Sequence, residues 1–393
     1  MNGIKLRVFG MLPIGHARRN VEAVDMNLLR VLTLASKTGA YGGPFDTASR
    51  QAQIASDAGM TVELVAGTFA GDAPDCQSAT YKKIFVPIRK MGVHGKFATA
   101  LSVAIVVELW KAVGRAQIVH ISFSRELIPI VAALFSVLRG RRLILQPHGM
   151  LTSRSSWIHQ TLDLGVRKLY ARAATVIALT ERESSQLALW SCRPEVEVVA
   201  LGNPVPPHAK ARIRELGSQV SATFIARLHP RKNVGTFLDA AALMTAQQNL
   251  KFTVVGPDEG DLHKVRAALR DIPNLQYLGA VDAQKVLDVL DVSDVFVLTS
   301  HNEPWGNVLA TALSMGIPVI VNKSSALSYA INEYDAGAVV PDGKAGSLAA
   351  ALKRLTSDPD YYANCSSNAL RLSENLLDRQ VQKSNLLRIY TGK

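Results

Sequence analysis

Arg227 and Lys232 flank one short turn, Ala226-Arg227-Leu228-His229-Pro230-Arg231-Lys232-Asn233, between the apolar run Ser221–Ile225 and a helical stretch opening near Val234. Two cationic heads on opposite sides of a strand-to-helix turn can reach a single anion, and the free N–H groups of the next helix favour the same charge. This is a diphosphate clamp in outline, with Arg231 as a solvated neighbour. Glu303 stands in Glu303-Pro304-Trp305-Gly306, behind the apolar run Val295–Leu298 and ahead of a helix from about Asn307 to Met315. Its carboxylate is placed either for ligand hydroxyls or for the helix N-terminus. His148 follows Arg142–Gln146 in Pro147-His148-Gly149, where an imidazole can hydrogen-bond a hydroxyl or phosphate. Gly42 and Gly43 follow the first strand, and there the backbone can approach a ligand before a helix opening near Pro44 with Asp46 or Thr47 as cap.

Each of these groups follows a run that reads as a strand. Leu28–Ala35, Thr61–Ala66, Ile118–Ile121, Arg142–Gln146, Thr175–Leu179 and Val196–Ala200 alternate with helical stretches at Thr47–Ala58, Lys96–Val113, Leu127–Leu138 and Ile158–Arg172. A second series has strands at Ser221–Ile225, Lys251–Val255, Leu275–Leu278, Val295–Leu298, Pro318–Val321 and Ala338–Val340. Such alternation means βαβ crossovers and parallel sheets covered on both faces. The Pro-rich segment Asn203–Pro207 separates the series. The expected fold is α/β, two doubly wound Rossmann-like domains facing an inter-domain cleft. Residues 28–206 form the first domain and 207–377 the second; 378–393 is a helix crossing back to the first, and 1–27 an N-terminal extension, with Met26 an alternative start.

Composition narrows the partners. The chain has 393 residues, 44 Lys and Arg against 32 Asp and Glu, and a net charge of +12. Residues 1–200 carry 24 Lys and Arg against 14 Asp and Glu, so the basicity belongs to the first domain and points to an anionic partner there. Cys76, Cys192 and Cys365 have neither disulfide nor zinc spacing, so no metal site is expected and a reducing, cytoplasmic compartment is. The longest apolar stretches fall short of the ~20 residues of a spanning helix, and the N-terminus lacks the apolar core of a secretory signal. No Walker signature and no Gly-x-Gly-x-x-Gly follows a strand, which excludes a P-loop ATPase and a conventional dehydrogenase. Nucleic acid is not expected, since aromatics make up 6% and no recognition motif is present.

The stretch from Asp294 to Val321 resembles the family-four retaining glycosyltransferases of the GT-B fold. Glu303, Trp305, Gly306, Ala312, Gly316, Pro318 and Val319 match the family hallmark. Gly42-Gly43, His148-Gly149, Gly202-Asn203-Pro204-Val205, Arg227 with Lys232, and Val255-Gly256 follow in family order. The resemblance implies metal-independent transfer of a sugar, with retention, from a UDP- or GDP-linked donor to a glycan or lipid-linked acceptor, in polysaccharide biosynthesis. No other cofactor is implied. Glu303, His148, Arg227 and Lys232 would be catalytic, and Gly42, Gly43, Arg227, Lys232, Gly306, Asn307 and Thr311 would contact the donor. One position departs: Thr311 stands where the family has a second glutamate, and a threonine cannot bind two vicinal hydroxyls as a carboxylate does. Either nucleotide affinity is weaker, or another group such as Asn307 or Glu333 substitutes, or the chain is a catalytically impaired scaffold or partner subunit. An epimerase or phosphorylase on the same scaffold is a further alternative, although no pyridoxal lysine is apparent. The basic first domain suits peripheral attachment to anionic lipid at the inner face of the cytoplasmic membrane, with Phe97–Trp110 either lying at that interface or forming an ordinary buried helix of the sheet.

Overall fold

The computed structural model describes residues 25–36, 42–74, 80–90, 99–152, 157–206, 210–377 and 379–392. The chain divides into two compact units, one of Met1–Lys37, Tyr41–Gly202 and Gln382–Lys393, the other of Thr38–Ala40 and Asn203–Val381. The N-terminal extension before Asp25, including Met1, lies outside the described residues. So do Cys76, the expected helix start at Lys96 with Phe97, and the boundary residue Pro207.

In the first unit the chain runs β1 (Asn27–Leu34), α1 (Gly42–Asp57), β2 (Thr61–Thr68), β3 (Lys82–Pro87), β4 (Arg89–Lys90), β5 (Ala100–Leu101), α2 (Val103–Arg115), β6 (Ile118–Ser122), α3 (Leu127–Leu138), β7 (Arg142–Gln146), α4 (Trp157–Tyr170), β8 (Thr175–Ala178), α5 (Glu181–Ser191) and β9 (Val198–Ala200). Among the described residues its main sheet has the order β3-β2-β1-β6-β7-β8-β9, with every pairing parallel. The strands read as apolar runs because both faces are covered. Leu29 and Val31 of β1 join the core with Ile105 and Leu109 of α2 and Ile128 and Ala132 of α3. Leu28 and Leu32 point the other way, against Ala48 and Ala52 of α1. The C-terminal helix α13 (Arg379–Thr391) shares that second core through Leu386, Leu387, Ile389 and Tyr390.

The second unit runs β10 (Val220–Ile225), α6 (Val234–Ala242), β11 (Leu250–Val255), α7 (Leu262–Asp271), β12 (Leu275–Tyr277), α8 (Ala283–Asp291), β13 (Val295–Leu298), α9 (Asn307–Ser314), β14 (Val319–Asn322), α10 (Ser328–Glu333), β15 (Gly337–Val340), α11 (Ala345–Ser357) and α12 (Pro359–Leu377). Its sheet order is β12-β11-β10-β13-β14-β15, again parallel. Both sheets are therefore doubly wound. The strand order reverses between β1 and β6 in one and between β10 and β13 in the other, and in open α/β sheets ligands bind beyond the carboxyl ends of strands at such points.

Several local expectations need correction. Gly42 and Gly43 are not in a connecting loop but in the first turn of α1, and Thr47 is no cap, since its hydroxyl donates to the Gly43 carbonyl one turn back at 2.9 Å. The expected helix Lys96–Val113 begins at Val103, because Ser102 caps it by accepting the Ile105 N–H and because Ala100–Leu101 pairs with Arg89–Lys90. Lys82–Pro87, absent from the expected strands, forms the sheet edge beside β2, where lysines and a proline are tolerated.

Inside the first unit Arg30 is fully buried in mid-strand and has no carboxylate within ion-pair reach among the described residues. Its guanidinium donates to the His120 carbonyl at 2.9 Å and to Gln51 at 2.7 Å. The His120 imidazole in turn shares a 2.9 Å hydrogen bond with the Tyr390 hydroxyl, which pins α13 to the sheet. Tyr390→Phe should leave a ring nitrogen without its partner in a dry core, at a cost of about 1–3 kcal/mol. A lowered denaturation midpoint in urea checks this, and an unchanged midpoint contradicts it.

Candidate functional site

In the second unit the expected residues come together at the carboxyl ends of β10 and β13, the strands at which the order reverses. Arg227 follows β10, Lys232 ends the short 3-10 turn Pro230–Lys232, and Asn233 turns the chain into α6 with a left-handed φ of 52°. From β13 the loop reaches Glu303, which is 5% exposed. Lys232 Nζ donates to Glu303 Oε2 at 2.5 Å. The two loops are tied by backbone contacts as well: the His301 N–H donates to the Arg231 carbonyl at 2.8 Å, and the Thr299 hydroxyl to that of Asn233 at 2.8 Å. A third segment, after β14, holds the far side, where the Ala326 N–H donates to the Glu303 carbonyl at 2.8 Å.

Burial pushes the Glu303 carboxyl up, but the charges of Lys232 and Arg231 outweigh it and hold the group below the usual carboxylate range. Burial lowers the Lys232 ammonium despite the attraction of Glu303. The pair is thus a buried ion pair, an anion and a cation set at one strand junction. Arg227 is also engaged, its Nη1 donating to Glu259 Oε2 at 2.6 Å. Arg231 is exposed and its guanidinium reaches the Asn302 carbonyl at 3.4 Å, in keeping with a solvated neighbour.

Gly306 precedes α9 with a φ of 81°, and a Cβ there would lie 3.1 Å from the Leu309 Cβ and 3.2 Å from Leu298 Cδ2. Asn307 opens α9, and its side-chain oxygen accepts from the Asn203 amide at 2.8 Å. Thr311 is buried at 3% exposure, and its hydroxyl donates to the Asn307 carbonyl at 2.8 Å. The threonine proton is spent inside the helix, which leaves only its oxygen lone pairs for a ligand. Glu333 is exposed on α10.

In the first unit His148 lies just past β7 with a left-handed φ of 53°, and its Nε2 is 3.2 Å from the Ser122 hydroxyl at the end of β6. Its turn is held from two sides. Glu183 of α5 accepts the Gly149 N–H at 2.5 Å and the Leu179 N–H at 2.7 Å. Arg125 donates to the carbonyls of Met150 at 3.0 Å and Thr152 at 2.7 Å, while its other edge is paired with Asp163. Gly42 and Gly43 open α1 on the far face of the same sheet from α2 and α3. Sequence reasoning misses Glu259, Arg125, Asp163 and Glu183, although Asp258-Glu259-Gly260 at the carboxyl end of β11 is a turn signal of the kind that flags the other loops.

Burial and the nearby Arg30 charge push the His148 imidazole down to about 3, and burial with the Arg30 charge holds the His120 imidazole well below its ordinary value. Both rings stay neutral when folded, whereas unfolded imidazoles take up a proton below their ordinary value of 6.5. Their contribution to stability is therefore full above that value and falls as pH drops through it, at about 1.4 kcal/mol per pH unit for each ring. Imidazole NMR signals of His120 and His148 should hold constant from pH 8 to 5, and a midpoint near the free value would contradict this burial.

Residues 209–371 match the Glycosyl transferases group 1 family, and residues 42–204 match the Glycosyl transferase 4-like domain. The D-inositol 3-phosphate glycosyltransferase of Rhodococcus jostii (strain RHA1) is 26% identical over 232 residues, 54% of this chain and 51% of that protein. An alpha-D-kanosaminyltransferase of Streptomyces kanamyceticus is 25% identical over 222 residues, 52% of this chain and 57% of the other. The chain spans about half the length of the curated relatives it matches. Among solved structures, Anabaena HepE in complex with UDP and glucose superposes with a TM-score of 0.73 at 18% identity, covering 94% of this chain and all of the other. Sucrose-phosphate synthase from Thermosynechococcus elongatus gives 0.72 at 15% identity, covering 93% and 98%. These likenesses extend over both sheets, and the fold they share is GT-B.

Proposed function

Because the chain belongs to the group 1 glycosyl transferases, we propose that it transfers a sugar from a nucleotide-diphosphate sugar to a glycan or lipid-linked acceptor, with retention and without a metal ion. The observation that carries this reading is the charged cluster Arg227, Lys232 and Glu303 at the switch point of the second sheet. Breaking the bond between the anomeric carbon and the diphosphate builds negative charge on the leaving group. Fixed cations at that position stabilise the transition state more than the ground state. Arg227 and Lys232 take this role, and the amides at the start of α6 reinforce it. Glu303, anionic by its pairing, accepts hydroxyls of the donor sugar. Gly306 and Asn307 line the turn that follows it, and Thr311 offers one acceptor oxygen.

His148 and the first turn of α1, with Gly42 and Gly43, belong to the first unit, to which we assign the acceptor. His148 is a neutral hydrogen-bonding group there, suited to a sugar hydroxyl rather than to proton transfer at neutral pH. The acceptor side also suits an anionic membrane surface. Val103, Val107 and Trp110 of α2 and Leu134 and Leu138 of α3 are exposed, and the Arg139 guanidinium stacks 3.8 Å over the Trp110 ring. Among the described residues no helix is long and apolar enough to cross a membrane.

Thr311 favours one second reading, a GT-B scaffold with impaired donor binding, because its hydroxyl is turned into its own helix. A thermal-shift screen with UDP, GDP, ADP and their sugars separates the two. UDP is the first ligand to test, since HepE was solved with UDP and glucose. Stabilisation by one nucleotide that is lost in Arg227→Ala and in Lys232→Ala, with release of the nucleoside diphosphate from the sugar nucleotide, supports the enzyme. No stabilisation by any of them supports the scaffold.

A further inference from the structure

Glu259 is held beside Arg227 by backbone rather than by the ion pair alone. Gly256 follows β11 with a φ of 147°, and a Cβ there would lie 1.8 Å from the Ala226 carbonyl oxygen, so only glycine lets the loops after β10 and β11 abut. Beyond it Leu228 bridges Asp258, the Leu228 N–H donates to the Pro257 carbonyl at 2.8 Å, and the Asp261 N–H to that of Leu228 at 2.9 Å. Asp258 closes the turn by accepting the Gly260 N–H at 2.9 Å. On this frame Glu259 Oε2 meets Arg227 Nη1 at 2.6 Å, while Glu259 Oε1 is buried with no hydrogen-bond partner. Its hold on Arg227 therefore rests on a single oxygen. The Arg227 side chain keeps 33% of its exposure, so it can turn away from this partner.

A phosphate and a carboxylate are alternative acceptors for one guanidinium, and two anions side by side repel. We propose that Glu259 competes with the donor diphosphate for Arg227 and thereby sets how tightly the site holds nucleoside diphosphates. Glu259 is in this sense a positioning residue that keeps Arg227 in a donor-free orientation. The inference rests on the assignment of Arg227 and Lys232 to the diphosphate. Apparent affinity falls by the fraction of molecules in which the binding group is available, so release of Arg227 tightens binding. Product release benefits from the same competition, because Glu259 takes Arg227 back as the diphosphate leaves.

The test is calorimetric titration of the full chain with UDP and with uridine. Glu259→Gln keeps the shape but removes the charge, and should tighten UDP by about three- to tenfold while leaving uridine unchanged. Glu259→Asp, whose carboxylate is withdrawn from Arg227, should shift UDP in the same direction, and thermal unfolding without nucleotide confirms that each variant is folded. In an Arg227→Ala background, Glu259→Gln should have no effect. A purely structural Glu259 would not give a gain of affinity confined to the phosphate-bearing ligand. Unchanged or weaker UDP binding in Glu259→Gln overturns the competition even where Arg227→Ala and Lys232→Ala still lose UDP. If those two variants bind UDP like the parent chain, the diphosphate assignment itself fails, and this proposal with it.

Discussion

Lys232→Ala should destabilise the second unit by about 3–5 kcal/mol and lower sugar transfer by about 10²–10³-fold. The stability loss follows from what is left behind. Glu303 is 5% exposed and would remain as a buried carboxylate with its ion-pair partner removed. The carboxyl would then shift upward, since burial already pushes it up and the Lys232 charge is the largest opposing influence. Two effects of one substitution can be separated by a double variant. Lys232→Met with Glu303→Leu removes both charges, so stability should recover most of the loss while transfer stays low. Denaturation in urea together with release of nucleoside diphosphate from the donor measures both. Full recovery of transfer in the double variant would remove the pair from the mechanism.

Arg125→Ala should cost the first unit a similar amount, about 3–5 kcal/mol, and weaken transfer without touching nucleotide binding. Arg125 and Asp163 form a two-point contact at 2.6 and 3.0 Å, both side chains 7% exposed, and the Trp190 N–H donates to the same carboxylate at 3.1 Å. Arg125 also carries the carbonyls of Met150 and Thr152, so its loss frees the turn that presents His148. Burial raises the Asp163 carboxyl, but the hydrogen bonds from Arg125 and Trp190 outweigh it and the group lies below 3.8. That stabilisation is complete above 3.8 and is lost as pH falls through the lower folded value, so the variant and the parent should converge in strong acid. UDP binding that drops in Arg125→Ala would contradict the division of roles between the units.

The strands are legible because buried parallel strands are short β-branched runs, as in Val295–Leu298 and Leu250–Val255. Edge strand β3 is not, since Lys82 and Lys83 break the apolar run and, among the described residues, it pairs with β2 alone. The start of α2 is hidden because apolar residues continue through Ala100 and Leu101, and only the Ser102 cap marks the change from strand to helix. In the site, Arg227, Lys232 and Glu303 can be found because each sits in the loop after its own strand. Glu259 lies 32 residues from Arg227, Asp163 lies 38 from Arg125, and Glu183 lies 34 from Gly149. Those partners meet only through the order of strands in the sheet, which no local pattern encodes. Arg30 carries the same lesson, for an arginine in mid-strand gives no sign that Gln51 and the His120 carbonyl will receive it.

Whether the cations of the second unit hold a diphosphate is decided by a crystal structure of the chain soaked with UDP. The predicted result places phosphate oxygens within hydrogen-bond distance of the Arg227 guanidinium and the Lys232 ammonium, at the carboxyl ends of β10 and β13. UDP bound elsewhere, with Arg227 still on Glu259 and Lys232 still on Glu303, would contradict it.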